Sequence, residues 1–477
     1  GDGMLNITQN DYNIIKQRIN ERYIKINILD FQYRTVDEIS GNMLSCSVQC
    51  DADSDLRRSC SVSLIVRDNS FDIQSGGKIW LDKYIQVYIG LKNIYTQEIQ
   101  WYNQGIYLID APTWNYDATT NTLSFSGLDL MSKLTGVRNG QLQGMPTVIK
   151  QGESVREAMI ATLALGGFTR YVVSECVNRD GTVQTVPYDI EVDQGGFVYD
   201  ILSALRDILP QYQIYFDVDG VFHYDLIPTG DDEPVVITDD IWKNILIGED
   251  ISTDFASVKN YIEVYGHTHD PEYYPSAISV SGATITMTIA SLTSLSENNI
   301  IGFTPPSAVS GNIQLAVNNF GAKNLVDSNG NYITSLKADT YYVAIYQSDG
   351  TWKFLGHQQA QATWSDENPD SPFYINGPVG IIRQVLCGGD YENIQSDELA
   401  LERAKLEIYW KCRLNDSITL NIVPIPWLDV NLVVSHGPKD ETEEKRYIIK
   451  SYSVDYGSVE STMSVSMISY YGYYPMY

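Results

Sequence analysis

The sequence predicts a mainly β protein with an α+β middle. It predicts two antiparallel β-barrel-like domains toward the ends of the chain, a helical α+β domain connecting them, and one small inserted β-sandwich. Three observations carry this expectation. Apolar residues alternate with period two near both ends of the chain. Helical spacing is confined to the middle third and one late segment. A segment of different texture, about residues 270–363 and rich in Ser, Thr, Asn, Gly and Tyr, interrupts a strand pattern that stops near Gly266 and resumes near Tyr374. A scaffold tolerates a cassette of that size only on an exposed loop. That favours an assembly part with a surface decoration over a compact single-site enzyme.

Taken in order, residues 1–22 form an N-terminal helical arm, with Ile7, Ile14, Ile15 and Ile19 roughly on one side of a short helix. From Tyr23 the period changes to two, in YIKINILD, SCSVQC and SCSVSLIV. KIWLDKYIQVYIGLKN follows as a strand pair or one long bent strand, and residues 106–130 as two strands about a turn at 117–121. Residues 23–140 are therefore expected as a first barrel, whose closure would remove exposed edges.

The α+β domain, 141–250, has one helix with Val155, Met159, Ile160 and Leu163 on a face, stopped by Gly166-Gly167. A second carries Val198, Ile201, Leu202, Leu205 and Leu209 and ends at Pro210. A hairpin then turns on Asp219-Gly220. Residues 251–268 with 374–477 are expected as a second barrel, including a helix at 396–412 whose stripe is Leu401, Ala404, Ile408 and Cys412. Residues 269–373 are the inserted sandwich, with turns at 327–330 and 348–350.

Composition narrows the function. A chain of 477 residues exceeds one hydrophobic core, and 43% apolar residues suit globular packing. The formal charge is −28, with 60 acidic against 32 basic residues and no basic stripe, which speaks against phosphate-based nucleic-acid recognition. No apolar run reaches the ~20 residues of a membrane span. The polar N-terminal segment has no signal-peptide core, which predicts synthesis in a cytoplasm. Six cysteines are too sparse for a disulfide framework and read as buried thiols. The 34 Tyr against 12 Phe suit wet interfaces and sugar-facing surfaces.

Catalytic patterns are scarce. GxxxxGK and GxSxG are absent, and no two of the five histidines are four apart, so HExxH is impossible. His267 and His269 would share a strand face and could grip a cation, but an exposed linker is the stronger reading. Asp231-Asp232-Glu233 and Asp239-Asp240 could act as acid/base pairs, yet charge-rich turns explain them better. Asp51, Asp53 and Asp55 alternate as in a calcium loop, but the glycine and distal Glu such a loop needs are missing. Cys176 has no local support as a nucleophile. Tyr342, Tyr346 and Trp352 are the candidate glycan contacts, as an aromatic shelf for sugar rings, against the alternative that they form the core of the inserted sandwich.

A set of segments recurs in a recognisable order. Leu123–Ser126 runs into Gly127-Leu128-Asp129, Gly152-Glu153-Ser154 opens a helix, and Asp217-Val218-Asp219-Gly220 turns a hairpin. The strand Lys259-Asn260-Tyr261-Ile262-Glu263-Val264-Tyr265-Gly266 follows. Pro424-Ile425-Pro426-Trp427-Leu428 comes next, as the start of a strand, and a last hairpin closes over 447–470. In this order they resemble the hub proteins of phage tails and related injection machines, including late control D-like and tail-associated hub proteins. The inserted segment, through Ile301-Gly302-Phe303 and residues 313–318, 336–346 and 350–356, resembles small β modules of phage tail and receptor-binding proteins.

The resemblance implies a structural virion protein: a homotrimeric hub at the distal end of a tail, joining a sixfold tube to a threefold tip, with no enzymatic activity, cofactor or metal. Its implied partners are two further copies, tail-tube or distal tail proteins, and tip, spike or fibre proteins. DNA would cross the lumen without specific binding. The implied location is the virion tail, assembled in the bacterial host cytoplasm. Two alternatives are a tail protein that binds host-surface polysaccharide through the inserted module and a tail-associated cell-wall hydrolase.

Overall fold

The computed structural model describes residues 7–469 except 19, 40, 67–72, 117, 118, 120, 145, 146, 179, 180, 188, 231, 232, 415, 439–442 and 458–460. The first helix, α1 (Gln9–Ile15), is opened by Thr8. Its hydroxyl accepts the Asp11 N–H while the Asp11 carboxylate accepts the Thr8 N–H, satisfying two orphan donors reciprocally. Ile14 and Ile15 are fully buried, and the helix stops there; Ile19, expected on the same face, lies outside the described residues.

Seven strands follow: β1 (Arg22–Asp30), β2 (Thr35–Ile39), β3 (Asn42–Asp51), β4 (Arg58–Ile65), β5 (Lys83–Lys92), β6 (Ile99–Tyr116) and β7 (Asn121–Asp129). Their alternation points one face inward. Cys46, Val48 and Cys50 of β3, Cys60, Val62 and Leu64 of β4, and Leu123 and Phe125 of β7 all enter one core. Burial pushes the Cys50 and Cys60 thiols up to about 12. Cys387 is exposed, whereas the other five cysteines are buried as the sequence predicts. Most of the expected 117–121 turn lies outside the described residues.

The middle segment holds β8 (Thr147–Ile149), α2 (Val155–Leu165), β9 (Tyr171–Val173), β10 (Ile190–Val192), α3 (Val198–Arg206), β11 (Tyr212–Phe216), β12 (Phe222–Leu226), α4 (Asp239–Ile245) and β13 (Leu246–Thr253). Ser154 caps α2 by accepting the Glu157 N–H, and Gly167 beyond its end has φ +80°. Val155, Met159 and Leu163 of α2 share a core with Ile201, Leu202 and Leu205 of α3. Helix α3 ends at Arg206, a turn before Pro210, and the β11–β12 hairpin turns on Gly220 at φ +74°.

The remaining elements begin with β14 (Tyr261–Thr268), β15 (Ala277–Ser281), β16 (Thr284–Thr288), β17 (Ile300–Phe303), β18 (Val309–Ser310), β19 (Gln314–Val317), β20 (Ala322–Val326) and β21 (Ser335–Leu336). Next come β22 (Tyr342–Tyr346), β23 (Trp352–His357), β24 (Gln359–Ser365), β25 (Arg383–Leu386) and α5 (Asp397–Lys411). The chain continues with β26 (Asp416–Ile422), β27 (Val433–His436), β28 (Lys445–Asp455) and β29 (Met463–Ser469).

Among the described residues, eleven strands from the two ends of the chain and β13 from its middle form one sheet in the order β13-β26-β29-β28-β3-β4-β7-β6-β5-β1-β2, with β27 beside β28. The seam is the antiparallel β28–β3 ladder, Ser453 opposite Gln49. Ile418, Leu420 and Ile422 of β26 and Met463, Val465 and Met467 of β29 face the same core as β3 and β4. The two expected barrel-like parts are thus halves of one sheet over a shared core. The expected boundaries move accordingly. Strand β13 starts within the span assigned to the α+β domain yet pairs with β26, while β14 leaves the sheet to pair with β24 and β25. Ile262 and Val264 of β14 are instead covered by Ala400, Ala404 and Ile408 of α5. The buried stripe of α5 therefore runs through Ala400 rather than the expected Leu401. Pro424–Leu428, expected as a strand, is a loop: two prolines remove ladder donors, and Ile425 and Leu428 drop into the core.

A polar junction ties the halves to the middle domain. Arg58 of β4 donates to Asp429 at 2.7 Å, and its own N–H reaches the buried Asp129 carboxylate at 3.1 Å. Neighbouring Arg57 lies over the Tyr215 ring at 4.0 Å and donates to Gln213, which also accepts from Asn431.

Candidate functional site: the inserted module and its mount

Strands β14 and β24 pair antiparallel, from Tyr261 opposite Ser365 to Thr268 opposite Gln359. Everything between Thr268 and Gln359 is therefore the loop of one hairpin, which is how a scaffold accepts a cassette without rearrangement. The module ends earlier than residue 373, because β24 belongs to the scaffold. Within it, β15-β16-β19-β20-β23-β22-β17 form one sheet and β18–β21 a second, around a core of its own that includes Ile285, Leu315, Leu325 and Trp352. Both expected turns are present: Asp327 Oδ1 accepts the Asn329 and Asn331 N–H groups, and Asp349 Oδ1 accepts the Thr351 N–H. Replacing 269–358 by Asn-Gly is expected to leave a cooperatively folding scaffold within ~2 kcal/mol of the parent in urea unfolding; loss of its native circular dichroism would show that the module is integral to it.

Three anchors fix the mount. Asn260 is fully buried at the foot of β14. Its carbonyl accepts the Ile382 N–H at 2.7 Å, and its amide donates to Phe373 O at 2.8 Å and Gly380 O at 2.7 Å. At the exit, Asp397 in the first turn of α5 accepts the His357 and Gln361 N–H groups and pairs with His357 Nδ1 at 2.7 Å. Gly356 sits at φ +99°, where a Cβ would strike the Asp397 carboxylate, so only glycine fits.

At the entry, His269 is buried and its Nε2 donates to Gln395 O at 2.6 Å. Burial is the largest influence on its pKa and lowers it, against that hydrogen bond. The folded state therefore favours neutral imidazole, while the unfolded chain takes up a proton below about 6.5. Stability contributed here is present above that pH and is lost as pH falls. The wild-type fold should lose more stability than His269→Phe between pH 7 and pH 5.5, as measured by urea midpoints.

The aromatic shelf is not presented to solvent. Trp352 is fully buried and Tyr342 is 5% exposed, both in the module core, and the Tyr342 hydroxyl accepts the Lys337 N–H. Tyr346 is half-buried with its ring 5.2 Å from Trp352. Tyr346 and Trp352 are cross-strand partners whose shared side faces the core.

The other candidates are structural as well. His267 and His269 stack edge to face at 5.0 Å, and no metal-holding cluster of three His, Cys, Asp or Glu occurs among the described residues. Asp239 accepts from His436 Nδ1, the Gly437 N–H and Lys243. Glu233 accepts the Thr229 and Gly230 N–H groups, while Asp231 and Asp232 lie outside the described residues. Asp51 closes a turn by accepting the Asp53 N–H. Cys176 is buried and its thiol is pushed up to about 11. No helix among the described residues is long and apolar enough to cross a membrane.

A feature with no sequence signal is a cleft of about 490 Å³ between the module and the scaffold segments around Gln151-Gly152 and 182–187, and the start of α5 lines only its smaller extension. It continues into a smaller lobe of about 240 Å³, and both lobes are lined by Asn178, Gln184, Ser328, Asn329 and Lys353. Lys353 is 5% exposed, and its ammonium makes no hydrogen bond or ion pair among the described residues. Burial lowers its pKa, against the fields of Glu398 and Asp327.

Residues 370–477 match a family described only as a domain of unknown function, DUF5048. No curated protein matches the sequence. Among solved structures, the chain is similar to the 43 kDa tail protein of prophage MuSo2 from Shewanella oneidensis, at 10% identity and TM-score 0.50, over 93% of this chain and 98% of that one. A tail protein from Neisseria meningitidis MC58 aligns at 10% identity and TM-score 0.49, over 94% and 97% of the two chains. The Escherichia coli c3393 protein, a type VI secretion component described as similar to T4 tail proteins gp27 and gp5, aligns at 8% identity and TM-score 0.44, over 95% and 79%. At such identities the likeness is one of architecture, and over 93% of its length the chain has the fold of the MuSo2 tail protein.

Proposed function

We propose that this protein is a structural subunit of a phage or phage-like tail, acting as a homotrimeric hub at its distal end. The observation that carries the reading is the likeness of fold to a prophage tail protein over 93% of this chain and 98% of that one. Each chain brings two sheet halves, one from β1–β7 and one from β13 with β26–β29. Three copies then offer six such positions to a sixfold tube while keeping a threefold face for a tip, spike or fibre protein. The large acidic excess suits a channel wall that repels DNA phosphates, so that a genome slides without sticking.

Native mass spectrometry of the purified chain, paired with electron microscopy of tails carrying an epitope label in the inserted module, tests this. A trimer and a label at the tail tip are expected. A monomer at every concentration, with the label absent from the tip, overturns the hub.

A further inference from the structure

We propose that the cleft at the joint between inserted module and scaffold binds a neutral, polyhydroxylated saccharide segment, with Lys353 donating to a sugar oxygen. The lysine carries the argument. A buried ammonium without a partner is costly, and an apolar residue would serve packing better. Its side chain lines both lobes of the cleft. The walls add acceptors in search of donors: Gln151 and Gln211 each hold a buried side-chain carbonyl oxygen with no hydrogen-bond partner. A group that both donates and accepts is needed, and a sugar hydroxyl does both.

Charge narrows the ligand class further. Glu297, Glu398 and Glu402 line the two lobes against Lys353 as the one cation in either lining, so a polyanion such as a polyphosphate would meet net repulsion. The walls include turns at 150–152, 327–330 and 347–350, and the 182–187 wall is already bridged, Val183 to Val177 and Thr185 to Ser154, so it is not a free strand edge. An extended peptide would seek such an edge. The volume is that of a site for a ligand of a few rings. Because both module and scaffold supply residues, an occupied cleft would also brace the module against its mount. This proposal is independent of the hub reading and stands or falls without it.

The test uses the full chain on an array of neutral and acidic glycans, followed by titration of the glycans that bind. Neutral glycans are the expected ligands. Lys353→Met keeps the stem and removes the charge, so ~10–100-fold weaker binding is expected, with the thermal midpoint unchanged or raised. Ser348→Trp, at an exposed turn on the rim, should block the cleft and abolish binding without touching the core. Binding confined to acidic glycans, no glycan binding at all, or wild-type affinity in Lys353→Met overturns the proposal. So does a display-selected peptide that competes with no sugar yet loses binding in both variants, which would make the cleft a protein-docking site.

Discussion

Asn260→Asp unfolds the mount of the inserted module at neutral pH, at an expected cost of ~3–5 kcal/mol. Asn260 satisfies three backbone groups at once, the Ile382 N–H and the Phe373 and Gly380 carbonyls, in a site closed to solvent. Its own backbone extends the knot, with the Asp366 N–H donating to its carbonyl and its N–H donating to Ile382 O. Aspartate would preserve the first side-chain bond and turn an unpaired oxygen toward two carbonyls. The carboxyl can relieve this only by holding a proton, so its folded pKa would rise above the ordinary ~3.9. A raised carboxyl pKa removes stability as pH climbs past the unfolded value. Asn260→Ala, which orphans the three groups without adding charge, should cost ~3 kcal/mol with little pH dependence. Urea unfolding at pH 5 and pH 7.5 separates them: the aspartate variant should gain on the alanine variant in acid. Equal losses at both pH values would mean that the knot is held by packing.

The second large effect is expected at the junction of the sheet halves. Arg58 is buried, donates to Asp429, and lies beside the fully buried Asp129, whose carboxyl is pushed up by burial against the field of that arginine. Arg58→Ala should cost ~3–5 kcal/mol, since it opens a cavity and strips Asp129 of its cation. Arg58→Met retains the stem and should recover part of the loss. With the arginine gone, the Asp129 pKa rises further. Such a shift withdraws stability as pH rises from the unfolded value, so the deficit should be larger at pH 7 than at pH 4.5. A loss under ~1 kcal/mol for the alanine variant would show that the pair contributes little to joining the halves.

Sequence patterns exposed the elements better than their partners. The alternation through β3, β4 and β29 was readable because one face is buried and the other is not. Ser154 and Gly166-Gly167 marked the ends of α2 by cap chemistry. Alternation identified β14 as a strand, but not its sheet, because the residues that hold Asn260 lie 113 to 122 positions downstream. The module's texture betrayed its start. Its end was blurred because β24, mostly half-exposed, is as polar as the insertion. Parity put Tyr342 and Tyr346 on one side of a strand without saying that this side faces inward. Lys353 looks ordinary between Trp352 and Phe354, and only tertiary packing strands its charge in a cleft.

The β28–β3 seam sets a timetable for biosynthesis. The Cys46 N–H bonds the Asp455 carboxylate 409 positions further along the chain. A ribosome adding roughly 5–20 residues per second leaves the edge of β3 bare for tens of seconds after it emerges. During that wait it is a template for other nascent chains. Premature termination before Lys445 would make the vacancy permanent, so truncated products should aggregate or be degraded rather than accumulate as soluble fragments.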